Sequence, residues 1–62
     1  METKKQEIES LLQAANNLKN VIYWLDKADK KVEVVETYDL LSKITGEVSR
    51  LSDEVVTDIF NG

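Results

Sequence analysis

Apolar residues recur along this chain at alternating spacings of three and four, first through Ile8, Leu11, Ala15, Leu18, Ile22 and Leu25. A second series runs through Val34, Leu41, Ile44, Val48, Leu51 and Val55. Spacings of three and four place side chains on one face of an α-helix, whereas strand faces repeat every second residue. The chain is therefore expected to be all-α, an antiparallel hairpin of helix 1 (about 4–28) and helix 2 (about 33–60). A single domain spanning 1–62 is the expected organisation. Three helices with a break near Gly46 is the alternative, because glycine in a helix interior costs about 1 kcal/mol relative to alanine.

The helix ends can be read in the same way. Thr3 and Gln6 have the spacing of a capping box, in which each side chain accepts a hydrogen bond from the other residue's backbone N–H. Lys27, Lys30 and Lys31 suit the negative end of a helix, and Glu33 and Glu36 suit the positive start of the next. Asp29 is the expected N-cap of helix 2. Residues 32–38, Val-Glu-Val-Val-Glu-Thr-Tyr, alternate as a strand would. Val34 nevertheless continues the stripe of helix 2, which favours helix.

The stripes are wider than one neighbouring helix covers. Leu12, Val21 and Ala28 flank the first, and Val35, Tyr38, Leu40, Val56, Ile59 and Phe60 flank the second. Each large apolar side chain left wet forgoes about 1.5–3 kcal/mol of burial, against total stabilities of about 5–15 kcal/mol. There is no Cys and no His in the 62 residues, so neither a disulfide nor a zinc site with its usual ligands can staple so small a domain. Dimerisation of two hairpins into a four-helix bundle is the expected remedy. The self-association surface is expected to draw on Leu12, Leu18, Val21, Ile22, Leu40, Leu41, Val48, Leu51, Val55 and Ile59.

Composition narrows the functional classes. Without Cys or His, nucleophilic catalysis by a Cys–His pair or a Ser–His–Asp triad is excluded. Paired acids such as Asp53 and Glu54 lack an accompanying apolar pocket or Gly-rich phosphate loop. The expectation is a non-enzyme with no cofactor and no metal. No apolar run approaches the ~20 residues of a membrane span, and residues 1–7 lead into no apolar signal segment. A cytoplasmic protein without membrane association is expected. The net charge of −4 is uneven: residues 1–31 sum to +1 and residues 32–62 to −5. An acidic second half argues against gripping a phosphate backbone.

The outer face of helix 1 stands apart. Gln13, Asn16, Asn17, Asn20, Tyr23, Trp24 and Lys27 lie opposite the apolar stripe. Amides are mediocre helix formers, so a plain solvent face gains little from them. Trp and Tyr are enriched at binding hot spots. This face is the candidate partner-binding site. The leading expectation is a small regulatory protein, of the bacterial or phage accessory kind, that binds another protein as an inhibitor or adaptor. A structural or assembly subunit is an alternative.

A short chain planned as one hairpin is similar in outline to the Rop family of plasmid RNA-binding proteins, dimeric antiparallel four-helix bundles. The likeness is of architecture, and no motif carries functional residues across. It implies a second alternative, an RNA- or DNA-binding dimer presenting Lys4, Lys5, Asn16, Asn20, Tyr23 and Lys27. Ser52-Asp53-Glu54-Val55-Val56 comes near the Ser-x-Glu-Leu-Asp signature of a family of small phosphatases. Val56 stands where that signature needs Asp, and the match is rejected.

Overall fold

The computed structural model describes residues 3–61 and contains two helices, α1 (Lys4–Lys27) and α2 (Lys31–Asn61). They pack as an antiparallel hairpin measuring 50 × 18 × 14 Å. The expected helix 1 ends one residue early, and helix 2 starts two residues early and ends one late. Residues 32–38 are helical, which overturns the strand alternative. Gly46 leaves α2 unbroken, which overturns the three-helix alternative. One glycine penalty is small beside the many helical hydrogen bonds and the seam contacts on either side of it.

The two stripes meet along one seam. Ala15, Ile22 and Leu51 are buried, and Ile8, Leu11, Leu18, Leu25, Val34, Leu41, Ile44, Val48 and Val55 are half-buried. Thr37, half-buried in the same row, fills the gap between Val34 and Leu41. Its hydroxyl donates to the Glu33 carbonyl at 2.7 Å, so a polar group enters the seam already satisfied. The strict three–four repeat is that of an antiparallel coiled coil.

The start of α1 carries the expected capping box. Thr3 N–H donates to Gln6 Oε1 at 2.9 Å, and Gln6 N–H donates to Thr3 Oγ1 at 3.2 Å. The turn between the helices differs from expectation. Asp29 does not cap α2; it adopts φ 59°, the left-handed position just past the end of α1. Lys30 N–H donates to the Leu25 carbonyl, and Asp29 N–H donates to the Asp26 carbonyl, both at 3.0 Å. That pair of bonds is the Schellman motif, which satisfies carbonyls that the ending helix leaves orphaned. Asp tolerates the left-handed region better than most residues, though less well than Gly. The chain reverses at once, because Val34 N–H already donates to the Lys30 carbonyl.

Gly46 sits at the centre of α2 with no explanation inside the hairpin. A Cβ built there would meet nothing within 4 Å, and its φ is not positive.

The left-handed turn generates a prediction. Asp29→Gly is expected to raise the unfolding free energy by up to about 1 kcal/mol, and Asp29→Val to lower it by about 1–2 kcal/mol. Urea denaturation followed by circular dichroism measures both. Equal stabilities for the two variants would sink this account of the turn.

Candidate functional site

Seen from the seam, each helix has an outer surface, and that of α1 is the distinctive one. Gln13, Asn16, Asn17, Asn20, Tyr23, Trp24 and Lys27 are all exposed. Among the described residues no side-chain hydrogen bond involves Gln13, Asn16, Asn17 or Asn20. Their amide donors and acceptors are therefore free to pair outside the chain.

Near the end of α1 the amides give way to a small cluster. The rings of Tyr23 and Trp24 meet edge to face, with centroids 5.1 Å apart and planes at 85°. That geometry aligns the positive edge of one ring with the negative face of the other. Lys27 Nζ lies 5.3 Å from the Tyr23 centroid, one turn further on, within cation–π range. The contacts restrain three side chains before any partner arrives. Trp24 remains 60% exposed, so its apolar body faces water.

Tyr23 also borders a shallow concavity of about 410 Å³ with Lys19, Ile22, Asp26, Val34 and Tyr38. Ile22 and Val34 belong to the seam, so its floor is apolar. Lys19, Asp26 and the two tyrosines form a polar rim. Both helices contribute, and only the hairpin creates it.

The residues expected to drive self-association divide into two sets. Leu18, Ile22, Leu41, Val48, Leu51 and Val55 are spent in the hairpin's own seam. Leu12, Val21, Leu40 and Ile59 are exposed. Val32 and Phe60 are exposed as well.

The opposite end of the hairpin is ionic. Lys4 Nζ donates to Asp58 Oδ2 at 3.0 Å and lies 3.6 Å from Glu54 Oε2. Arg50 Nη1 donates to Glu54 Oε1 at 3.0 Å, one turn back along α2. The last turn of α2 has no basic residue of its own, so Lys4 brings a cation to its negative end from the other helix. The hydrogen bond and then the charge of Asp58 hold the Lys4 ammonium above its ordinary pKa of 10.5; partial desolvation opposes them, and Glu54 adds a lesser upward pull. These groups border an open, polar concavity of about 290 Å³ with Asp53 and Thr57.

Among the described residues no group of three His, Cys, Asp or Glu side chains could hold a metal ion, and no helix is long and apolar enough to cross a membrane. In comparisons with known proteins, no family model, no curated protein and no solved structure matches this chain.

The ion pair has a definite pH signature. Because the Lys4 pKa is raised on folding, its contribution is fully present below 10.5 and is lost as pH rises through the higher folded value. Stability measured by urea denaturation is expected to fall above that point more steeply for the wild type than for Lys4→Met. Parallel curves for the two proteins would exclude a role for the tie.

Proposed function

We propose that this chain is a small, non-enzymatic regulatory protein that works as a homodimer and binds another protein, as an inhibitor or adaptor, through the outer face of α1. The observation that carries the reading is the restrained Tyr23–Trp24–Lys27 cluster at the end of a row of unengaged amides. An exposed aromatic pair with a cation above one ring offers area at low entropic cost, because few rotamers remain to be frozen. The amides add directional hydrogen bonds along the same face. Trp24 is the anchor, and Asn16, Asn17 and Asn20 set the orientation.

The charge balance favours protein over nucleic acid as the partner. Two copies carry about −8, doubling the chain's −4, and a polyanion is repelled by such a surface. Lys4, one of the cations that a phosphate backbone would use, is already committed to Asp58 and Glu54.

Trp24 is the only tryptophan, so its emission reports directly on the face. Binding of the partner is expected to shift that emission to the blue. Trp24→Ala combined with Asn20→Ala is expected to weaken capture of the partner by roughly tenfold or more, with circular dichroism unchanged. Unaltered capture by the folded double variant would overturn the proposal. Salt-sensitive binding to RNA or DNA at about 50 mM salt would replace it with the nucleic-acid reading.

A further inference from the structure

A second stripe runs along α2 one residue after each seam position: Val35, Tyr38, Ser42, Thr45, Ser49, Ser52, Val56 and Ile59. One residue is about 100° around a helix, so this stripe faces roughly at right angles to the seam. It contains no charged residue. The corresponding stripe of α1 carries Lys5, Glu9, Lys19 and Asp26. All eight α2 positions are exposed except the half-buried Ser52. Large apolar side chains stand at both ends and small hydroxyl residues between them.

Two large residues at each end and four small ones between give the same pattern read forwards or backwards, and that symmetry points to the occupant. A two-fold interface must be self-complementary, each residue i meeting j while j meets i. We infer that two copies of this chain pair α2 against α2, antiparallel, about an axis through Gly46. In that register Val35 meets the partner's Ile59, and Tyr38 meets the partner's Val56. The serines and Thr45 meet one another in the middle. Beside the stripe, Val32 meets the partner's Phe60, and Gly46 meets the partner's Gly46. The inference rests on the homodimer of the proposed function and specifies its interface.

Three observations carry it. First, Gly46 has no reason to be glycine within one hairpin, since a Cβ there would meet only open space. A second helix crossing closely at that point supplies the reason. Second, Ile59 and Phe60 follow Asp58, which already pairs with Lys4 at the start of α1, and they are 72% and 84% exposed. In the antiparallel pair they cover Val32 and Val35, which are 67% and 68% exposed. Third, the surface area fits. The hairpin exposes 4981 Å², about 900 Å² more than the roughly 4,100 Å² expected of a compact chain of this mass. A standard interface removes about 800 Å² from each partner. The two hairpins then meet along α2, and Gln13, Asn17, Asn20, Trp24 and Lys27, which point most directly away from the seam, stay outside the contact.

A like-charge approach remains at the rim, made twice by the two-fold symmetry, between Asp39 of each copy and the partner's Asp53. Asp39 is partly neutralised by Lys43 at 3.4 Å. Added salt screens this repulsion, so association is expected to strengthen with ionic strength.

Sedimentation of the wild type at about 100 µM, a concentration well above the Kd of a specific interface of this size, is expected to show a dimer. Gly46→Glu improves helix propensity in the isolated hairpin. It also places two like charges on the axis, and is expected to weaken dimerisation by roughly tenfold or more with helicity retained. Val32→Ser with Phe60→Ser is expected to weaken it similarly from the ends. Spin labels at Glu47→Cys are expected about 25 Å apart or closer, and at Asn61→Cys about 45 Å apart, from the ~1.5 Å rise per residue. A dimer that survives Gly46→Glu, or that gives equal distances at the two labelled sites, overturns the α2 seam while leaving self-association standing. A wild-type monomer at that concentration overturns both.

Discussion

The line of contact between Ile8–Leu25 and Val34–Val55 is where this hairpin removes its apolar surface from water, and the rest of the structure depends on it. Only Ala15, Ile22 and Leu51 are buried along it. Two large side chains buried at about 1.5–3 kcal/mol each are a thin return when ordering each backbone residue costs about 1–2 kcal/mol. The half-buried neighbours add to the balance, but each has one side still facing solvent. A two-layer object has no interior beyond its single seam. Local devices therefore matter more here than in a larger domain. The capping box at Thr3, the Schellman turn at Asp29 and the Lys4 tie each remove an orphan group or an unfavourable charge at a helix end.

The same thinness couples fold to function. Burying one face of each helix turns the remaining faces outward as rigid, long surfaces. On α1 that surface is amide and aromatic. On α2 one stripe of it is uncharged and apolar at both ends. A partner meeting either surface encounters side chains displayed at fixed helical intervals, so little ordering has to be done on binding. The Tyr23–Trp24–Lys27 contacts extend this preorganisation from backbone to side chains.

Much of this was legible in the residues because a single period governed it. The stripes gave two helices and their approximate limits, and Thr3 with Gln6 gave the start of α1. The exposure of the Gln13–Lys27 face followed by exclusion, being opposite the stripe. What escaped was set by geometry between elements. Thr37 fills a seam position but reads as polar, and only its bond to Glu33 shows how a hydroxyl enters. Asp29 suits two roles by residue type, N-cap or left-handed terminator. The backbone path of the reversal decides between them, and neighbouring residues do not encode that path one by one. The Lys4–Asp58 pair joins residues 54 positions apart and depends on the register of the two helices.

The width of the stripes was a correct sign of uncovered surface, but it merged two different demands. Six of the ten residues expected to hold copies together are used up in holding one hairpin together. Leu12, Val21, Leu40 and Ile59 remain outside, with Val32 and Phe60 beside them in exposure. A stripe broader than one seam therefore does not extend the interface that it borders; it leaves apolar side chains facing a second direction. In the proposed pairing of two copies that direction is offset by one residue on α2, and Gly46 lies beside it with nothing within 4 Å inside the hairpin. A glycine that costs helix stability and relieves no strain within its own chain is explained by whatever approaches from outside. At the midpoint of a helix whose two ends match each other, a second copy of that helix meets the requirement with the fewest new assumptions.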